Sequence, residues 1–99
     1  MVREFLYRGD RFRATVHGHA GKEEIFVVQV LEDDDEGPEI SLDRFEDKHN
    51  DPGESLESVL ARLVERMQVE QQLTATEPTA GFTWSTGKVQ ARVHSGVQQ

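Results

Sequence analysis

The sequence predicts an α+β domain: an antiparallel β-sheet packed on one face by a single amphipathic α-helix, in the order β-β-β-(β)-α-β-β. Three observations carry this expectation. Two segments of alternating polarity fold back about glycine-containing turns, a near-continuous apolar run is rich in β-branched residues, and one stretch repeats apolar residues at helical spacing. Residues 1–99 read as a single domain, because a chain this short supplies one modest core. Within it the sequence marks a hairpin plus central strand over 4–31 and an acidic loop with a short strand over 32–50. A helix over 51–72 and a C-terminal hairpin over 82–93 follow.

The first hairpin alternates over residues 4–8 and 11–17 about Gly9-Asp10. A two-residue loop with glycine first suits a type II′ turn, which sets Tyr7 opposite Phe12 and Phe5 opposite Ala14. Phe5, Tyr7, Phe12, Ala14 and Val16 then share one face; Arg8, Arg11, Arg13, Thr15 and His17 take the other. Residues 18–24 read as a loop, and residues 25–31 as the central strand. Residues 32–38 read as an acidic turn, and the alternation at Ile40 and Leu42 as a short fourth strand. Residues 43–50 read as an exposed loop anchored by Phe45.

For the helix, Asp51 is the expected N-cap, with Pro52 at its first position and Glu54 two residues further on. Leu56, Val59, Leu60, Leu63, Val64 and Met67 form its apolar stripe; Glu57, Ser58, Arg62, Glu65 and Arg66 lie opposite. Beyond a linker-like stretch at 74–81, a second hairpin turning at Thr86-Gly87 pairs Trp84 with Val89 and Phe82 with Ala91. Trp84 is expected in the core.

The absence of cysteine excludes disulfide and thiolate chemistry. The opening MVREFLYRGD has no apolar h-region or cleavage-like site, so the expectation is no signal peptide and a cytoplasmic, soluble protein. The longest apolar stretch, 25–28, is far too short for a membrane span. The net charge of −8 argues against direct binding to nucleic acid or an anionic membrane. Its distribution is uneven. Residues 32–57 hold twelve acidic and two basic side chains, net −10, whereas the segments on either side are each net +1.

The stretch Tyr7-Arg8-Gly9-Asp10-Arg11-Phe12-Arg13-Ala14 resembles the first hairpin of small β-β-β-α proteins of unassigned role found in many bacterial genomes. The likeness covers roughly residues 4–70. Asp10 departs from it, standing where those proteins often have an aromatic residue. The resemblance implies a fold and no activity.

Two clusters are candidate sites. The first is acidic: Asp33, Asp34, Asp35 and Glu36 with Glu32 before them, then Glu39 and Asp43. Its carboxylates suit a basic partner protein, a mimic of the DNA backbone, a divalent cation, or simply a solvated turn that blunts a sheet edge. An EF-hand loop fails, because starting it at Asp33 puts Pro38 where the glycine must stand. The second cluster is basic: Arg8, Arg11 and Arg13 on one hairpin face, suited to an anionic ligand or to balancing the acidic segment within the chain or across a homodimer. His17 and His19 are two apart on a strand and read as surface histidines. Arg8-Gly9-Asp10, although it matches a cell-adhesion tripeptide, is explained as a turn.

No G-x-S-x-G, H-E-x-x-H or Walker loop is present, and no catalytic residue, cofactor or metal ligand is assigned. The expected function is a non-enzymatic binding or regulatory module contacting a basic partner protein. The alternatives are a nucleic-acid mimic that inhibits a DNA-binding enzyme, and a small-ligand or divalent-metal binder.

Overall fold

Among the described residues the chain forms one antiparallel sheet of five strands with a single helix packed on it. The structure, a computed structural model, describes residues 1–19, 22–44, 53–79 and 81–85, with His19 described by its backbone only. The strands are β1 (Val2–Tyr7), β2 (Asp10–His19), β3 (Lys22–Val30), β4 (Glu36–Asp43) and β5 (Phe82–Trp84). They lie in the order β4-β3-β2-β1-β5, and the helix α1 spans Leu56–Glu70.

The first hairpin forms with a different turn from the one its sequence suggests. Arg8 and Gly9, not Gly9 and Asp10, are the loop, with φ of 53° and 84°. Two successive positive φ values are those of a type I′ turn, whose twist matches that of the flanking strands. Tyr7 therefore pairs with Asp10, and Phe5 with Phe12 rather than Ala14. The slip is two residues, so the paired side chains of both strands keep their predicted faces, and only Arg8, now in the loop, leaves its own. The new pairing stacks Phe5 on Phe12 with ring centroids 5.4 Å apart. It also frees Asp10 to accept hydrogen bonds from the Thr76 amide and hydroxyl, at 3.2 and 2.6 Å. These bonds tie the 74–79 connection to the hairpin.

β2 and β3 run further than expected, to His19 and from Lys22, so most of the predicted 18–24 loop is strand. β4 begins at Glu36 and absorbs the last three residues of the expected acidic turn. Pairing continues from Val28 with Glu39 to Val30 with Glu36, which leaves Gly37 and Pro38 together opposite Gln29. This is a β-bulge, a place in a ladder where a residue without an N–H fits. Residues 32–34 form a short 3-10 turn in which Asp33 and Asp34 have φ of 61° and 62°.

The helix is capped later than predicted. Ser55 is the N-cap, its hydroxyl accepting from the Ser58 amide at 3.2 Å. Asp51 and Pro52 lie outside the described residues, as do Phe45, Thr86-Gly87 and the strand expected at 88–93. Glu54 sits before the cap and accepts from Ser58 Oγ at 2.8 Å and from Arg62 Nη2 at 3.1 Å. The helix ends at Glu70, and Gln72 then turns the chain with φ of 55°.

The predicted stripe is the buried one. Val59, Leu60, Leu63, Val64 and Met67 are sealed against Phe5, Tyr7, Phe12, Ala14, Ile25 and Val27 of the sheet. β5 completes the sheet against β1, with Trp84 opposite Phe5 and Phe82 opposite Tyr7. Trp84 packs at the rim of the core, where its indole N–H reaches Glu57 at 2.8 Å and the Arg3 guanidinium lies 4.1 Å over its ring. No helix among the described residues is long and apolar enough to cross a membrane.

Candidate functional site

The helix covers one face of the sheet, and the predicted clusters meet at the other. β2 places Arg11 and Arg13 two residues apart, so both point away from the helix. Glu4 stands directly opposite Arg13 in the β1–β2 register and shares that face. Beyond Val30 the chain reverses sharply. The Leu31 amide donates to the Asp35 carbonyl at 2.7 Å, and the Asp34 amide to the Leu31 carbonyl at 3.1 Å. Aspartate tolerates the left-handed backbone this reversal demands, which explains two aspartates at its centre.

The reversal brings the acidic segment back over the arginines. Arg11 Nη2 donates to Asp34 Oδ1 at 2.9 Å and to Glu4 Oε1 at 3.1 Å. Arg13 Nη1 donates to Glu36 Oε2 at 3.2 Å, and its Nη2 lies 3.7 Å from Glu4 Oε2. The result is a charge ladder running Asp34, Arg11, Glu4, Arg13, Glu36. Its two ends are exposed, whereas the Glu4 side chain at its centre is only 3 % exposed. Hydrogen bonds donated to Asp34 and then to Glu4 raise the Arg11 pKa further above its ordinary range.

Not every predicted residue joins the ladder. Arg8 lies in the turn, not on the outer face, because the loop is Arg8-Gly9. Its guanidinium pairs instead with Glu65 of the helix at 3.0 Å and lies 5.2 Å over the Tyr7 ring. Glu65 also accepts from the Tyr7 hydroxyl. Burial, and next the hydrogen bond to Glu65, raise the Tyr7 pKa above 10.0. Glu32, Asp33, Asp35 and Glu39 are exposed, and Asp43 is half-buried at the end of β4. His17 is exposed and its ring meets Phe26 edge-on, while the His19 side chain lies outside the described residues.

Glu4 is the member that pattern reading missed. The register that paired Phe5 with Ala14 set Glu4 opposite Thr15 and concealed its contact with both arginines. A glutamate between Arg3 and Phe5 in a strand, with arginines at alternate positions of its partner, was the available signal.

Two open grooves flank this architecture. One, about 640 Å³, lies between the end of the helix and the 74–78 connection, lined by Arg8, Glu65, Val69, Leu73 and Pro78 among others. The other, about 380 Å³, runs beside the acidic reversal along Asp10, Arg11, Gln29 and Glu32. Among the described residues no group of three or more His, Cys, Asp or Glu side chains is placed to hold a metal ion. Comparison of the chain with protein-family models, with curated proteins and with solved structures gave no match.

Proposed function

We propose that the protein is a non-enzymatic binding module whose acidic segment engages a basic partner protein. One observation carries this reading: residues 32–36 are five consecutive exposed carboxylates held at one end of the sheet. Among the described residues, Arg11 and Arg13 pair with Asp34 and Glu36 and also share Glu4, so the segment's five carboxylates outnumber the two arginines beside them. The arginines position the segment more than they neutralise it. A field of one sign at such an edge raises the encounter rate with a cationic surface and makes binding salt-sensitive.

The test is binding of a lysine-rich polypeptide at low and physiological salt, using wild type and the variant Asp33→Asn, Asp34→Asn, Asp35→Asn, Glu36→Gln. Wild type should bind and weaken steeply with salt, and the variant should lose most of the affinity. Equal binding by both would overturn the reading. Competition by duplex DNA for a protein target would narrow the partner to a DNA-binding enzyme, making the segment a mimic of the phosphate backbone.

A further inference from the structure

We propose that the outer edge of β4 is where the basic partner docks, adding to the sheet as an extended strand that alternates basic and apolar residues. The proposal rests on the acidic-segment reading above and specifies how the partner is held. β4 ends the strand order, and among the described residues no strand pairs with its outer side.

Two hydrogen bonds identify which backbone groups look outward. The Arg44 amide donates to the Glu23 carbonyl at 2.8 Å, so Arg44 turns toward β3. Bonded and non-bonded pairs alternate along an antiparallel ladder, so Leu42 and Ile40 also turn toward β3, and Ser41 and Glu39 turn away. Gln71 agrees with this assignment, because its Nε2 reaches the Glu39 carbonyl at 3.3 Å from outside the ladder. Pro38, which blocks strand addition wherever it removes an outward N–H, is confined to the bulge. The Glu39 amide and both Ser41 groups therefore face outward in the orientation that an added strand requires.

The side chains define the partner. Glu39 and Ser41 are exposed on the face away from the helix, and Asp43 beside Glu24 extends the same acidic row. On the opposite face Ile40 and Leu42 are only partly buried at the margin of the core. A strand laid alongside would set every second side chain against Glu39, Ser41 and Asp43, a row acidic at both ends, and the others against Ile40 and Leu42. That pattern is Lys or Arg alternating with Val, Ile or Leu. A second copy of β4 is disfavoured, since acidic side chains would then face acidic ones.

The experiment titrates a short synthetic peptide alternating Lys and Val into the full chain, beside the same peptide N-methylated at alternate amides. It repeats the titration with Ser41→Pro, which removes an outward N–H and no ladder bond or charge. Expected is measurable binding that falls about tenfold or more on N-methylation of the bonding edge and again with Ser41→Pro. Equal binding of the methylated peptide to wild type would overturn strand addition and leave the acidic-surface reading standing. So would binding of polylysine without binding of the alternating peptide. If neither ligand binds, both readings fall.

Discussion

Replacing Arg11 and Arg13 together by methionine should strand Glu4, the one buried carboxylate among the described residues. Glu4 lies 3.1 Å from Arg11 Nη2 and 3.7 Å from Arg13 Nη2, with its side chain 3 % exposed. Methionine keeps an aliphatic stem over the site, so the change removes charge more than cover. A buried carboxylate stripped of its partners costs about 3–5 kcal/mol. A domain of this size has roughly 5–15 kcal/mol in all, so the double variant should lose a substantial share of its stability. With a urea slope of about 1–3 kcal/mol per molar, the midpoint should fall by about 2 M. Adding Glu4→Met should restore most of the loss, because an apolar replacement of a buried ion cluster is nearly neutral. Asp34→Asn with Glu36→Gln should cost less than about 1 kcal/mol, since both ends of the ladder are exposed. If the triple variant is no more stable than the double, the loss does not come from Glu4 and the ladder is not organised around it.

Other consequences follow from local chemistry. Tyr7 is the single tyrosine, so tyrosinate absorbance reports it alone, and its midpoint should lie above 10.0. Because the folded pKa is raised, the associated stability is complete below 10.0 and is lost as pH rises through the folded value. A midpoint at or below 10.0 would contradict the burial and the Glu65 hydrogen bond. Glu54 has the opposite sign. Hydrogen bonds from Arg62 and then Ser58 lower its pKa, so its contribution is present above 4.5 and lost as pH falls through the lower folded value. Glu54→Gln should therefore flatten the acid limb of a melting-temperature profile, and an unchanged limb would count against the helix-start network. Gly9→Ala should destabilise by about 1–2 kcal/mol, because φ is 84° and the new methyl would sit 3.0 Å from Glu77 Cγ. A melting temperature equal to wild type would contradict the type I′ turn.

What was legible in the sequence was parity. Phe5, Tyr7, Phe12 and Ala14 face the helix whichever turn is formed, since a slip of two residues leaves a strand's faces unchanged. The stripe from Val59 to Met67 was equally secure, because its period admits one buried side. Register was not legible. Gly9 can serve as the first residue of a II′ turn or the second of a I′ turn, and Phe5 stacked on Phe12 decides it only in three dimensions. That decision moved Arg8 off the basic row and brought Glu4 into it, so the candidate site was half visible. The cap at Ser55 was obscured by Asp51-Pro52, which carry the commoner start signal. The pairing of β5 with β1 spans most of the chain and leaves no local trace. The acidic segment itself was plain from composition, but its return over Arg11 and Arg13 depends on two aspartates in left-handed backbone.

The most direct measurement is a map of backbone amide shifts as a lysine-rich polypeptide is titrated into the full chain. If the account holds, the perturbed amides should concentrate at residues 32–43, with Glu39 and Ser41 among the largest. Shifts concentrated instead around Val69, Leu73 and Arg8, in the groove at the end of the helix, would place the binding surface elsewhere and contradict it.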